Sequence, residues 1–415
     1  MADLLWPGDE RAGEVFTDAA LLHALVAVEQ AWLDVLVDRG IAPAGARRDL
    51  TSLVTSADVT LVASRAEASG NPLVPLLTLL RERGGRPVTE PGRWIHRGLT
   101  SQDVVDTALV LGARDTTARL LDLLDRQVAA LAQLADRHRL DLQAGRTLTQ
   151  HAVPLTFGLK AAQWLHGVLD ARDGLRALRF PVQVGGAAGT LAALAELAGG
   201  PDAAMSVAAD LARILGLRAA APWHTVRTPV TAYADALVRT TDALGHVAND
   251  VLVLARPEVA ELAEPAVAGR GGSSTMPQKA NPVLSVLVRR AALAAPALAA
   301  QLHLAAAEAV DERPDGGWHT EWSALATLSR RTLVAASQTA ELLEGLHVDT
   351  RRMAALVQQH ASSLLAERRS VRGLTAPPPG SSRPQPQDDV DPAHYLGATA
   401  AIIDGVLARA REETP

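Results

Sequence analysis

The most chemically reactive stretch of the sequence is Gly271–Pro282, GGSSTMPQKANP, which combines glycines, serines, a lysine and an asparagine between apolar segments. Asn281 followed by Pro282 is typical of a helix start, with an N-cap residue and proline at the first helical position. The free amides and partial positive charge of such a helix end favour a carboxylate. Glycines at the beginning of the stretch allow it to move as a closing lid. An ordinary surface loop with a capped helix explains the spacing equally well.

A second polar stretch is His96–Thr107, HRGLTSQDVVDT, which lies ahead of an apolar segment. Thr100 and Asp103 have the spacing of a capping box, so a helix is predicted to start here. The hydroxyls and amides of Thr100, Ser101 and Gln102 are candidate anion ligands, because a helix start presents free donors. By itself the stretch is explained by capping alone.

The third stretch is Gly145–Lys160, GRTLTQHAVPLTFGLK. Its polar side chains are predicted to lie in a loop between two apolar helices: Arg146, Thr147, Gln150 and His151. For His151 taken alone, a hydrogen-bonded structural imidazole is the favoured interpretation. Lys160 falls inside the following helix and is expected to form a structural ion pair.

Helices must position these stretches, because apolar residues recur at steps of three and four along most of the chain. Thr17 is a candidate N-cap for the first helix and Gly40 a candidate stop. Five longer helices are predicted at about 102–140, 155–178, 230–255, 282–310 and 320–346. The predicted fold is all-α, a central bundle of long helices at 99–346 flanked by smaller helical domains at 1–98 and 347–415, the last with a proline-rich linker at 375–389.

Composition excludes several classes of function. The chain has 415 residues, a formal charge of -6 and no cysteine, which rules out disulfides, thiolate metal sites and a cysteine nucleophile. Mild acidity without basic runs argues against nucleic acid and anionic membranes. The acidic N-terminus does not resemble a signal peptide, so a cytoplasmic protein is expected. Only two of the 40 basic residues are lysines, Lys160 and Lys279.

Together the three stretches resemble the fumarase/aspartase superfamily, and the resemblance covers about residues 15–348. GGSSTMPQKANP is similar to its signature GSSxMPxKxNP, TSQDVVDTA to its second region and GRTLTQHAVPLTFGLK to GRTHxQxAxPxTxG. The resemblance implies reversible β-elimination on a small polycarboxylate, without metal or cofactor. It also implies a homotetramer in which three subunits build each active site.

Carried over residue by residue, the resemblance makes Ser273 the base that removes the proton beside a substrate carboxylate. A serine needs a stabilised alkoxide to act as a base, which neighbouring positive charge or donors can provide. His96 and His151 are the candidate proton donors. The implied substrate-binding residues come from all three stretches: Thr100, Ser101, Gln102, Arg146, Thr147, Gln150, Ser274, Lys279 and Asn281.

Leu148 is the informative departure, because several lyases of the superfamily carry a catalytic histidine there. Bacterial 3-carboxy-cis,cis-muconate cycloisomerases are similar at this point, and also in PWHTVR, GGWHTEW and DPAHYLG. The expected activity is therefore interconversion of 3-carboxy-cis,cis-muconate and 4-carboxymuconolactone. Its tricarboxylate substrate needs positive charge, for which Arg97, Arg227 and Arg313 are further candidates.

Two alternatives stay open at this point. One is an adenylosuccinate lyase-like or other lyase that releases fumarate from a succinate derivative, which the shortened C-terminal region leaves possible. The other is a non-catalytic structural tetramer, against which the intact signature stretch argues.

Overall fold

The computed structural model of the chain describes residues 3–84, 90–272, 275–276, 279–375 and 390–412. Its helices, in chain order, are α1 (Asp18–Asp38), α2 (Val59–Ala66), α3 (Leu73–Gly84), α4 (Glu90–Trp94), α5 (Ser101–Arg137), α6 (Phe157–Arg176), α7 (Ala192–Ala198), α8 (Pro201–Ile214), α9 (Thr228–Leu254), α10 (Val283–Ala307), α11 (Gly316–Glu344), α12 (Thr350–Leu364), α13 (Ala366–Thr375) and α14 (Thr399–Glu412). The strands are β1 (Leu142–Thr147), β2 (Gln150–Thr156), β3 (Leu262–Ala263) and β4 (His347–Val348). Nearly all of the predicted linker at 375–389 lies outside the described residues.

The all-α fold class is confirmed, and the five long helices occur where apolar periodicity predicts them. Helices α5, α6, α9, α10 and α11 each end within a few residues of the predicted bounds. The Thr17 side chain accepts the Ala20 N–H as the N-cap of α1, and Gly40 follows its end with a φ of 67°. Local capping and amphipathic spacing therefore suffice to place these elements.

A β-hairpin stands where a loop was predicted around His151. Strands β1 and β2 pair antiparallel, with Thr147 opposite Gln150 and Arg146 opposite His151. The turn residues Leu148 and Thr149 have φ values of 47° and 70°, as a two-residue turn requires. The loop prediction was wrong because this turn carries neither the glycine nor the asparagine that normally marks such a hairpin.

The contacts between Cα atoms divide the chain into two compact units, whose boundaries fall inside the five long helices. The first unit comprises Met1–Leu120, Leu175–Val238 and Ala294–Val334, and the second Leu121–Gly174, Arg239–Leu293 and Ala335–Pro415. The predicted division into regions at 1–98, 99–346 and 347–415 stays a prediction.

The first unit is organised around a buried ion cluster. The guanidinium of Arg227 donates to both oxygens of Asp106 at 2.7 and 3.0 Å and to Glu321 at 2.5 to 3.2 Å. All three side chains have at most 1% exposure. The cluster joins α5, the start of α9 and α11 within this unit, because each residue comes from a different segment.

The second unit contains a small apolar cluster and a separate ion pair. The hairpin packs on α12 through a small buried cluster that contains Ala144, Val357 and Leu364. Lys160 lies 3.3 Å from the Asp250 carboxylate, which also accepts the Trp164 indole N–H at 2.8 Å. The prediction that Lys160 forms a structural ion pair is therefore confirmed.

Helix α10 is less buried than its apolar sequence indicates. Leu284, Val288 and Leu302 are buried, but Leu293 and Leu304 on the other face are 72% and 66% exposed. The interpretation of 291–307 as a buried helix is thus correct for one face only.

Two described helices, α1 and α10, are long and apolar enough to cross a membrane by length and composition alone. Core helices of soluble proteins pass the same test, and more than half of the most apolar window of α1 is buried. The expectation of a cytoplasmic protein without membrane contact stays a prediction.

Replacing Arg227 by methionine is expected to destabilise the chain by roughly 3–5 kcal/mol, because it leaves two buried carboxylates without their cation. The measurement is the free energy of unfolding in urea. Arg126→Met is the control, since the exposed pair of Arg126 with Glu344 should contribute at most about 1 kcal/mol. Equal effects of the two substitutions would contradict the central role of the cluster.

Candidate active site

The start of α5 is built around the carboxylate of Asp103, which is fully buried. Its oxygens accept the N–H groups of Thr100, Gly185 and Gly186 at 2.8 to 3.0 Å, and one of them lies 2.8 Å from Nε2 of His224. Asp103 therefore caps the helix, as predicted, but it also holds the loop at 185–186. The main-chain amides of that loop are occupied by a side chain of the protein itself.

Thr100, Ser101 and Gln102 differ in what they present. The Thr100 hydroxyl accepts a hydrogen bond from the Arg313 guanidinium, which also donates to the Ala187 carbonyl at 3.2 Å. Ser101 is half-buried, whereas Gln102 is fully buried and donates to Asp106 and to the His224 carbonyl. Gln102 therefore faces the interior of this unit, and substrate contact stays a prediction for all three residues.

Two motifs singled out in the sequence, PWHTVR and GGWHTEW, meet in the buried cluster of the first unit. Arg227 comes from the first motif, Glu321 and Trp318 from the second, and the Trp318 indole donates to Asp106 at 2.8 Å. Burial lowers the pKa of Arg227, but Asp106 and Glu321 more than offset it, so the pKa is raised overall. Burial raises the pKa of Glu321 against the influence of Arg227. The expectation that Arg227 contributes charge to the substrate was wrong, because its guanidinium is enclosed and already paired.

His224, from the PWHTVR motif, contacts the Asp103 carboxylate. Its Nε2 faces Asp103 at 2.8 Å, while its buried Nδ1 has no hydrogen-bond partner within the described structure. Because a carboxylate only accepts, the ring donates to Asp103 from Nε2.

His96, one of the two predicted proton donors, contacts a carboxylate that was not singled out in the sequence. Its Nδ1 lies 2.6 Å from Oε1 of Glu29 on α1, and the Glu29 side chain is fully buried. The only signal for Glu29 in the sequence is an acid within an apolar helix, which does not reveal its partner.

In the second unit the tip of the hairpin is exposed, whereas Arg146 before it is paired. Thr147, Leu148 and Gln150 are exposed at its tip, with Leu148 at 96%. Arg146 instead makes a two-pronged ion pair with the buried Glu261, at 2.9 and 3.2 Å. The Arg146 charge is therefore already compensated, and its predicted substrate contact stays a prediction.

His151, the second predicted proton donor, packs against another histidine, whose ring is tilted by 47° to its own. Its ring centre lies 4.1 Å from that of His360 on α12. Burial lowers the pKa of His151, and the neighbouring His360 and Arg146 lower it further against the influence of Glu261. His151 therefore favours its neutral form at neutral pH, in which one ring nitrogen accepts and the other donates.

Hydrogen bonds join the two ends of the signature stretch. The main-chain and side-chain amides of Asn281 both donate to the Gly271 carbonyl, at 2.9 and 2.8 Å. Lys279 is exposed and has no side-chain partner among the described residues. Ser273 and Ser274 lie outside the described residues, so their predicted roles as base and ligand stay predictions.

The N-terminal amides of α10 are already occupied. The Glu264 carboxylate accepts the N–H groups of Leu284 and Ser285 at 3.0 and 2.7 Å, and also the Ser285 hydroxyl. The helix does start after Pro282, but Asn281 is not the cap that the sequence indicated. A carboxylate does bind this helix end, as expected, but it belongs to the protein.

The candidate residues therefore fall into two sets. His96, Thr100, Ser101 and Gln102 lie in the first unit, and Arg146, Thr147, Gln150, His151, Lys279 and Asn281 lie in the second. Within the described residues no group of three or more histidine, aspartate or glutamate side chains could hold a metal ion.

Comparisons with known proteins identify the family of the chain. A family model described as Lyase matches residues 61–295. Nitrosuccinate lyase of Streptomyces davaonensis is 43% identical over 85% of this chain and 76% of its own length. 3-Carboxy-cis,cis-muconate cycloisomerase of Pseudomonas aeruginosa is 36% identical over 95% of this chain and 93% of its own.

Solved structures show the same relationship. The 3-carboxy-cis,cis-muconate lactonizing enzyme of Pseudomonas putida superimposes with a TM-score of 0.87 at 30% identity, over 97% of both chains. The chain therefore belongs to the fumarase/aspartase superfamily of lyases. Its relatives include both a cycloisomerase and a lyase that acts on nitrosuccinate.

Gly271→Ala is expected to lower kcat/KM at least about tenfold, because misplacing a positioned loop by an ångström weakens catalysis. Gly271 has a φ of 72°, and a Cβ there would lie 2.6 Å from the Asn281 carbonyl oxygen. Gly272→Ala is the matched control, since a Cβ at Gly272 meets nothing within 4 Å. If both variants keep full activity, the contact between Gly271 and Asn281 does not position the signature stretch.

His360→Gln is expected to raise the pKa of His151, because it removes one of the influences that lower it. The pKa should remain below that of an ordinary histidine, since burial is the larger cause. The measurement is an NMR titration of the histidine resonances, with the exposed His166→Gln as the control. If the pKa of His151 does not rise, the two histidines are not electrostatically coupled.

Proposed function

We propose that the protein is a 3-carboxy-cis,cis-muconate cycloisomerase that interconverts this tricarboxylate with 4-carboxymuconolactone. The observation that carries the proposal is Leu148, an apolar residue fully presented at the hairpin tip where several lyases of the superfamily carry a histidine. The similarity to cycloisomerases over nearly the whole chain supports it. The enzyme needs no metal or cofactor for this reaction.

In the elimination direction, Ser273 takes the proton from the carbon beside a substrate carboxylate. The electron pair of that C–H bond moves into the carboxylate and forms an enolate-like dianion, which Lys279 stabilises. As the pair returns to form the new double bond, the lactone C–O bond breaks and its oxygen leaves as a carboxylate. Addition follows the same steps in reverse.

A leaving carboxylate requires little protonation, since its conjugate acid has a pKa of about 4. An amine leaving group would depart only with a proton, and therefore needs an acid in contact with it. Leu148 cannot supply that proton, so His96 is the proposed proton donor to the leaving group. The site thus favours substrates whose leaving group is a stable anion that needs little protonation.

A second candidate function is the elimination of nitrite from nitrosuccinate. The 43% identity to nitrosuccinate lyase favours it specifically. In that reaction the base removes a proton from C3, the C–N bond at C2 breaks, and the nitro group leaves with the electron pair as nitrite. The product is fumarate, and the leaving group is again a stable anion.

The exposed face of α10 supports the proposal of a homotetramer with shared active sites. Val286, Leu293 and Leu304 are 51% to 72% exposed, and Ala297 and Ala300 complete the same face at steps of three, four and seven residues. A stripe of this period fits another helix, and an apolar face of this length is unfavourable in water. We propose that equivalent helices of other subunits cover it.

Mixing the enzyme with 3-carboxymuconate should bleach the ultraviolet absorbance of the diene as the lactone forms. Ser273→Ala should lower kcat by at least about 10³-fold, because a base that acts directly on the reacting carbon is lost. Ser274→Ala is the matched control within the same stretch. If Ser274→Ala abolishes turnover and Ser273→Ala does not, the base is assigned to the wrong serine.

The same preparation is then offered nitrosuccinate, with nitrite release as the readout. Turnover of nitrosuccinate at least about tenfold more efficient than that of 3-carboxymuconate would replace the first proposal by the second. Turnover of adenylosuccinate with fumarate release would overturn both, because that leaving group is an amine.

A further inference from the structure

A fully buried carboxylate lies against the imidazole of His96. Oε1 of Glu29 is 2.6 Å from the His96 Nδ1, and Oε2 of Glu29 is buried without a hydrogen-bond partner in the described chain. The His96 side chain keeps 14% exposure. Its Nε2 makes no hydrogen bond to any described residue. One ring nitrogen is therefore fixed to the protein and the other is left for a ligand.

Helix α1, which carries Glu29, also holds the main chain next to His96. Trp32 lies one turn after Glu29 on α1, and its indole N–H donates to the Arg97 carbonyl at 2.8 Å. His96 has a φ of 64°, a conformation that costs a residue with a Cβ about 1 kcal/mol or more. Such a conformation persists only where surrounding contacts enforce it, and α1 supplies two of them.

The charges near this pair do not supply a second partner to His96. Arg81 donates to the Ile95 carbonyl at 3.1 Å, and burial lowers the pKa of Arg81 against the influence of Glu29. Arg97 donates to the Arg93 carbonyl. Glu29 is thus the carboxylate in direct contact with the imidazole.

We propose that Glu29 is the positioning residue for His96 in the reaction. By accepting the Nδ1–H, the carboxylate fixes the tautomer whose Nε2 carries a lone pair, and it stabilises the imidazolium formed when Nε2 takes up a proton. In the elimination direction the imidazolium passes this proton from Nε2 to the lactone oxygen as the C–O bond breaks, and in the addition direction Nε2 takes it back from the carboxylic acid. The inference rests on the proposed function, in which His96 is a proton donor.

Glu29→Gln tests this role because it keeps the shape of the side chain and removes its charge. We expect kcat to fall roughly 10- to 100-fold with KM changed less than about threefold, since proton transfer and not binding is impaired. Glu29→Asp keeps the charge and should recover part of kcat.

Trp32→Phe is the matched control for a purely structural role. It removes the hydrogen bond from the same helix face to the same turn, at Arg97, but leaves the imidazole contact in place. If Glu29 only holds the turn, Trp32→Phe and Glu29→Gln should lower kcat alike. If Glu29 acts through the imidazole, Trp32→Phe should leave kcat within about threefold of the native value.

A double-mutant cycle with His96→Gln separates failure of this inference from failure of the proposed function. A role exerted through His96 predicts that Glu29→Gln has no further effect once His96 is replaced. Full activity of His96→Gln alone would overturn the proposed role of His96. A large loss in His96→Gln with none in Glu29→Gln would overturn the inference about Glu29 only.

A spectroscopic readout does not depend on the substrate. A short hydrogen bond between Nδ1–H and a buried carboxylate should give a proton resonance far downfield of the other histidine protons. That resonance should be missing from both Glu29→Gln and His96→Gln and present in Trp32→Phe. Its persistence in Glu29→Gln would overturn the proposed contact.

Discussion

A single guanidinium between two buried carboxylates is the constraint on which the first unit depends. Arg227 is enclosed by Asp106 and Glu321, and without it two negative charges would remain in the interior. Buried ion clusters are often no more stabilising than apolar residues of the same volume. We therefore infer that the cluster serves to position α5, since it connects this helix to segments far away in the sequence. That connection also positions the start of α5, where Thr100 and Ser101 lie.

Carboxylates of the protein also hold other polar groups of the chain. Asp103 holds the loop at 185–186, Glu261 pairs with Arg146, Glu264 caps α10 and Glu29 contacts His96. In each case a carboxylate of the protein faces hydrogen-bond donors that would otherwise be free to bind an anion. Lys279 and the hairpin tip at Leu148 are exposed and make no such pair among the described residues.

Much of the site was predictable, but its internal pairings were not. The three stretches, the helix starts and the departure at Leu148 are local patterns, and local patterns are visible in one sequence. The hairpin was missed because Leu148 and Thr149 adopt positive φ without the usual turn residues. Arg227 was misread as a substrate ligand because nothing near it in the sequence shows that its charge is already balanced. Glu29 was not singled out because its partner lies 67 residues away.

By itself the sequence determined the positions of the long helices and the class of chemistry. Apolar spacing depends only on neighbours a few residues apart, and the signature stretches carry their residue types with them. The tertiary structure alone decided which polar groups face one another. Contacts such as those of Arg227 with Asp106 and Glu321 join residues 121 and 94 positions apart. Desolvation makes such pairing obligatory in the interior, but the partner is chosen by how the helices pack.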